Sequence, residues 1–575
     1  MPDDVRSPMA PDRWGAVTHT VDNVPAPLED TNTYTGDIAL LEAVHRYAPD
    51  PPQAALAAFG ALAGSAEYLA LGFEANAHPP TFTPHDRGGR RVDLVRYHPS
   101  YHRLMDSAMT HGLHASHWEA TEPDAHVGRA TRMFLQAQVE AGHICPVTMT
   151  SAAIPTLAHQ PELLTTWGPK ILSRGYDPSN IPAEAKAHVT VGMAMTEKQG
   201  GSDVRANSTT AEPIDPRSTG PGQAYALVGH KYFVSAPMSD LFLVLAQAPG
   251  GLSCFLLPRW RADGSKNPIQ IQRLKPKMAN VSNASSETEL RGATGWMVGD
   301  EGHGVRTIID MVAMTRFDCM IGSASGMRAS LAQAAHHCAH RRAFGARLSD
   351  QPLLRNVLAD LAVESEAATV MTLRVGHALD EAAAGDTDAR ALVRIATAVG
   401  KYWICKRHPE HAYEAMECIG GSGVMDEHLT ARLFRDAPIN AIWEGSGNVQ
   451  ALDLLRTLAR SPHSVKVFLH ELSSARGADR VYDQAVDELT SDLDGATAAL
   501  ADGGGHAPAF AARDLIARMA LLFQAALLLD GGDATVAQAF LVSRIHPGAL
   551  GRGLLYGTLP KTVDTGYLTA RAMPA

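Results

Sequence analysis

Met193-Ala-Met-Thr-Glu-Lys-Gln-Gly-Gly-Ser-Asp203 begins inside a short run, Val189-Thr-Val-Gly-Met-Ala-Met195, whose residues alternate as a strand requires. A strand ending in closely spaced glycines and hydroxyls leaves backbone N–H groups and Ser/Thr oxygens free to bind a polar ring or a phosphate. Standing alone, the same residues equally describe a polar turn that satisfies its own backbone. Alternation continues through Tyr225–Val228. The run Leu241–Leu245 is separated from Ser253–Leu257 by Pro249-Gly250-Gly251, which reads as a hairpin turn. These signals predict a compact β domain over 188–298.

Outward from this domain the period becomes helical. Apolar residues recur at three- and four-residue spacing from Asp37 to Leu71 and from Tyr101 to Ala158, then again in long segments at Val305–Arg342, Leu353–Ala382 and Asp388–Lys406. Past Arg460 the chain is rich in Ala and Leu, with soft breaks at Gly503–Gly505 and Gly531-Gly532. The expected organisation is α+β multidomain: an arm over 1–36, a helical domain over 37–187, the β domain, a helical bundle over 299–458, and an additional helical domain over 459–575.

Composition narrows the function classes. The chain has 575 residues, more than one core organises, with 45% hydrophobic and 19% charged residues, as in a soluble globular protein. No apolar run follows Met1–Trp14, and Met519–Leu529 is interrupted by Gln524, so a cytoplasmic protein without membrane partners is expected. The six cysteines are scattered and read as buried reduced thiols. The 26 histidines lack carboxylates at ligand spacing, so no metal site is expected. A net charge of −11 opposes whole-molecule attraction to nucleic acid, while a local basic groove stays open.

Together with four later segments, Thr196-Glu-Lys-Gln-Gly-Gly-Ser-Asp203 resembles the flavin-binding stretch T-E-x-x-x-G-S-D of the acyl-CoA dehydrogenase family. The resemblance implies an N-terminal α domain, a middle β-barrel, a C-terminal four-helix bundle and FAD as cofactor. It assigns contacts with the isoalloxazine ring or flavin phosphates to Met193, Met195, Thr196 and Ser202. Gly229-His-Lys-Tyr-Phe-Val-Ser235 is similar to the family's G-x-K-x-(W/F)-(I/V)-(T/S), placing Phe233, Val234 and Ser235 beside the flavin. Arg341-Arg-Ala-Phe-Gly345 resembles R-x-x-F-G, whose Arg reaches the pyrophosphate of a neighbouring subunit's FAD. Arg341, Phe344 and, one residue closer than usual, Gln351 carry that likeness. Glu417-Cys-Ile-Gly-Gly-Ser-Gly423 resembles Q-x-x-G-G-x-G at the adenine end. Gly420 and Gly421 allow close backbone approach, and Glu417 replaces a Gln with a group that only accepts when ionised.

Ala441-Ile-Trp-Glu-Gly-Ser-Gly-Asn-Val-Gln450 carries the chemistry in this reading. Dehydrogenating an acyl thioester removes a weakly acidic α-proton while a hydride leaves the β-carbon, and a desolvated carboxylate suits the first task. By resemblance Glu444 is that base, with Trp443, Ser446 and Asn448 on the cofactor. Some family members place the base immediately before a helical Arg matching Arg316, where this chain has Thr315. An unplaced Glu would more often cap a helix.

Thr18–Pro25, Glu140–Thr150 and Met314–Cys319 make the AidB-type branch, associated with the adaptive response to alkylation, the nearest likeness. That branch implies weak dehydrogenase activity, double-stranded DNA binding through the added domain, with Arg456 the first residue to test, and a homo-oligomer, by family a tetramer. From residue 461 onward, however, nine Lys and Arg stand against twelve Asp and Glu. Three readings compete: a FAD-dependent dehydrogenase acting on an acyl-CoA or similar substrate, a DNA-associated protective flavoprotein without physiological turnover, and a relic that holds FAD idly.

Overall fold

The computed structural model describes residues 18–119, 123–546 and 555–574. Positions 1–17 of the expected arm and 547–554 of the expected last domain lie outside them. Seven strands, Val191–Ala194, Thr210–Pro213, Ala224–Ser235, Leu241–Ala248, Gly251–Pro258, Ile269–Leu274 and Ser285–Val298, form one sheet. It closes on itself. Leu241–Ala248 pairs with Gly251–Pro258 across the expected hairpin, the pairing continues through Ser285–Val298, Ala224–Ser235 and Thr210–Pro213, and Thr210 returns to Gln247. Phe242, Val244 and Phe255 fill the interior, while Leu241, Leu243 and Leu245 face the helix Ile144–Leu157 and its neighbours. A strand buried on both faces has no polar side, which is why Leu241–Ala246 reads as one apolar run.

The region before the barrel is mostly helical, with one departure. Thr81–His85 and Arg91–Arg96 form an antiparallel hairpin, because Pro79-Pro80 ends the preceding helix and Asp86 accepts from the N–H groups of Gly88 and Arg90 to shape the turn. Val95 of this hairpin packs with Ile271 and Ala284 and joins the region to the barrel.

Behind the barrel, Gly304–His340, Pro352–Ala383, Thr387–Ile419 and Gly447–Arg460 form the bundle. The third helix runs thirteen residues past the expected stop at Lys406, through Pro409. Cys405, Ala412 and Ala415 are buried on it, so packing offsets the hydrogen bond a proline removes. The helix His506–Leu529 packs on three bundle helices, and its residues belong to the same continuous core. The added C-terminal region is therefore fused to the bundle. Arg544 reinforces the join, buried against Asp360 and with Nε 3.2 Å from Glu364. All six cysteines are free and buried.

Candidate active site

The short helix Ile439–Ile442 ends at Trp443, and two residues with positive φ follow before Ser446 caps the helix Gly447–Arg460: Glu444 at 56° and Gly445 at 98°. Glycine adopts this conformation freely. For a glutamate it costs on the order of 1 kcal/mol or more, and it persists only where the surroundings over-determine it. Here they do. Lys401, 2% exposed, donates to the carbonyls of Asn440 (3.1 Å), Trp443 (2.9 Å) and Gly445 (2.7 Å). Arg316 donates to the Glu444 carbonyl at 3.0 Å, and Gln450 to that of Gly445 at 3.0 Å.

The Glu444 side chain faces a cavity of about 810 Å³, counted with its opening, together with Trp443, Met193, Cys319 and Thr315. Its Oε2 accepts from Thr315 Oγ1 at 2.7 Å. Burial pushes the carboxyl above its ordinary range, against the smaller opposing pulls of Thr315, Lys401 and Arg316. The position before Arg316 and the position of Glu444 are thus in hydrogen-bond contact, and a base on either segment would occupy the same corner. Below them Asp318 is held by Arg129 (Nη2 to Oδ2, 2.6 Å) and by Thr148 at 2.7 Å, tying the N-terminal helices to the long bundle helix.

The barrel end next to this corner is built by the motif residues themselves. Glu197, buried, receives Lys231 Nζ at 2.8 Å and the backbone N–H groups of Ser208 and Thr209. These contacts hold its carboxyl down to about 2. The Glu of the first motif and the Lys of the second therefore fold the loop, while their neighbours turn outward. Tyr232 N–H donates to the Thr196 carbonyl at 2.8 Å, bringing the two segments side by side. Gly229 is required between them, since a Cβ there would sit 2.6 Å from Thr209 Cα. Phe233 is 45% exposed with Lys275 Nζ 4.3 Å from its ring centre, and Ser235 Oγ meets Ser285 Oγ at 3.1 Å. The Val234 side chain points into the barrel core, which leaves only its backbone for a ligand.

The other expected contacts lie elsewhere. Arg341, Phe344, Gln351, Glu417, Gly420 and Gly421 gather at the far end of the bundle, where Cys338 meets the Cys418 carbonyl. Twenty-five helical residues separate Thr315 from His340, roughly 40 Å at 1.5 Å per residue. Within one chain, then, Arg341 cannot share a ligand with Glu444. Arg341 is bound to the arm through the Asn23 carbonyl, Gln351 Nε2 donates to the Ala343 carbonyl at 3.2 Å, and Arg456 is exposed on Gly447–Arg460.

Among the described residues the hydroxyls of Thr196, Ser202 and Ser446 and the Asn448 amide make no hydrogen bond to protein, so the rim offers neutral donors and acceptors around an aromatic ring. That donor set suits a flavin and its phosphates.

Comparison with known proteins agrees. Residues 23–178 match the Adaptive response protein AidB N-terminal domain, 192–293 the acyl-CoA dehydrogenase middle domain and 302–459 the acyl-CoA dehydrogenase C-terminal domain. The putative acyl-CoA dehydrogenase AidB of Escherichia coli (strain K12) is 44% identical over 83% of this chain and 87% of its own length. The chain belongs to the acyl-CoA dehydrogenase family, in its AidB-like branch. Its fold is the family's, and family members bind FAD. The crystal structure of Caenorhabditis elegans ACDH-11 in complex with C11-CoA superposes on this AidB-like chain with a TM-score of 0.79 at 27% identity, covering 92% of this chain and 93% of that one. An acyl-CoA dehydrogenase complexed with FAD from Bacillus anthracis shares the fold, with a TM-score of 0.58 at 18% identity over 77% and 79% of the two chains.

Sequence reasoning overlooked Lys401 and the part played by Thr315. The signal for Lys401 was a lone cation inside the buried helical run Ala398-Val-Gly-Lys-Tyr-Trp-Ile-Cys405, a position that demands partners.

Proposed function

We propose that this protein is a FAD-dependent dehydrogenase of an acyl thioester, with Glu444 as the base. The observation that carries the reading is a buried carboxyl, held in a left-handed backbone conformation by Lys401, Arg316 and Gln450, and facing a cavity beside the barrel end. Glu444 takes the substrate's α-proton on its carboxylate. Thr315 fixes the carboxylate orientation, and the surrounding apolar wall raises its basicity. Bound FAD supplies the two-electron acceptor for the hydride that leaves the β-carbon. The N–H of Glu444 makes no hydrogen bond to any described residue and is available to the thioester carbonyl, whose charge grows as the proton departs. The test is anaerobic flavin bleaching with acyl-CoA thioesters. Glu444→Gln should keep its flavin and lose bleaching; bleaching that survives the substitution would remove Glu444 from the role.

Arg456 and Arg460 favour a second reading, association with double-stranded DNA. Both are exposed on one helix and make no ion pair with any described residue. Opposing it is the acidic balance after residue 461. In a gel shift, salt-sensitive duplex binding that falls in Arg456→Ala would support the reading, and binding indifferent to salt would end it. The distance between Arg341 and Glu444 supports a homo-oligomer, by family likeness a tetramer, in which each cofactor is completed by a second copy.

A further inference from the structure

The strand that carries Phe233 is irregular at that residue. Lys231 pairs with Thr288 and Val234 with Ser286, so Tyr232 and Phe233 together face the single residue Glu287. Two residues against one make a bulge, which re-aims side chains that a regular strand would send to opposite faces. Here the two rings meet edge to face, with centres 5.0 Å apart at 84°. On the other side of Glu287 the strand Ile269–Leu274 has its own break in register, between Ile271 and Arg273. The chain beyond it is fixed by the Lys275 N–H, which donates to the Ser285 carbonyl at 2.8 Å.

The Lys275 side chain ends in a cage. Its Nζ lies 3.3 Å from the centre of the Tyr232 ring, 4.3 Å from that of Phe233 and 2.8 Å from Glu287 Oε1. The side chain is 9% exposed. Charge balance does not require it there, because the same carboxylate oxygen accepts from Arg273 Nε at 2.9 Å and from Arg273 Nη2 at 2.5 Å. An ammonium is strongly hydrated, so drawing it out of water at the edge of a sheet is unfavourable unless the ring faces it meets compensate.

What the cage restrains is the Phe233 ring. A phenylalanine 45% exposed at a rim is free to turn about its side-chain bonds, and a cation seated against it and anchored to Glu287 restricts that freedom. Tyr232 is tied in turn to the first motif through its N–H on the Thr196 carbonyl. We propose that Lys275 is a positioning residue for FAD: anchored by Glu287, it locks the Tyr232–Phe233 pair so that the uncovered part of the Phe233 ring is ready to pack against the isoalloxazine. A platform ordered before binding removes an entropic cost from association. The proposal rests on the place of Phe233 beside the flavin.

The test is the FAD dissociation constant of the full-length protein, titrated by flavin fluorescence, with the visible circular dichroism of the bound flavin as a signature of its packing. Lys275→Met should raise the constant by about three- to tenfold, the range of one cation–π contact, and weaken the flavin dichroism. Glu287 keeps Arg273 in that variant, so no carboxylate is orphaned. Lys275→Gln, which retains a donor for Glu287 and loses the charge, replaces it if the methionine variant does not fold. Lys275→Arg, a cation that also stacks on rings, should recover most of the affinity. In a double-mutant cycle, Phe233→Leu should weaken binding and abolish the further effect of Lys275→Met. An unchanged constant in the neutral variants, full additivity with Phe233→Leu, or an arginine variant as weak as the neutral ones would overturn the role of Lys275 and leave the cofactor assignment standing. A wild-type protein that takes up no FAD would remove both.

Discussion

The two ends of the helical bundle are built on opposite plans. Around Glu444 the carbonyls of the turn are engaged by Lys401, Arg316 and Gln450, so the strained backbone is clamped from within the chain. At the other end Phe344 is 100% exposed at the tip of a two-stranded flap with φ of 55°, and Leu353 is 88% exposed. A Cβ placed on Gly420 or Gly421 would meet nothing within 4 Å. Large apolar side chains and bare backbone at a surface mark an unfinished contact. One end is clamped from within the chain; the other leaves apolar side chains and backbone uncovered, as the proposed homo-oligomer would use.

Four measurements would break or sharpen this contrast. Glu444→Gln should lower bleaching by about 10²–10⁴-fold, the range of a lost general base, with flavin absorbance retained. Lys401→Met leaves the carbonyls of the turn unpaired, so thermal unfolding should show a loss of about 3 kcal/mol, with bleaching falling in the same variant. If stability is unchanged, the clamp is not what holds Glu444. Arg341→Ala should act only at the exposed end: flavin affinity falls about tenfold and assembly weakens in sedimentation, while bleaching per bound flavin is kept. A change in chemistry with flavin fully bound would show that the two ends are coupled within one chain.

Thr315→Val should give the smallest effect. The Thr315 hydrogen bond stabilises the charged carboxylate and holds its pKa down, so removing it raises a pKa that burial has already raised. Activity requires the deprotonated form and is lost as pH falls through this pKa. The acid limb should therefore move to higher pH, by less than about one unit for a hydrogen bond worth about 1 kcal/mol. A limb displaced downward would mean that Thr315 does not donate to Glu444.

Much of the fold is legible along the chain. The hairpin at Pro249-Gly250 and the starts of the three long helices follow from turn chemistry and period. Pro409 and the segment 81–96 were harder, because a proline inside a packed helix and a short hairpin in a helical region depend on neighbours distant in sequence. The site divides the same way. Glu444, Trp443 and Met193 sit in motifs and do line one cavity. Lys401 and Thr315 carry no motif, and only proximity reveals that they hold Glu444 and its turn.

The sequence alone, through its likeness to family motifs, pointed to the class of cofactor and to Glu444 as the proposed base, because those motifs are residue types at short, fixed spacing. Tertiary structure alone decided which side chains clamp the strained turn and how far Arg341 stands from Glu444. Those facts depend on how helices separated by a hundred residues or more cross in space, and no local period encodes that crossing.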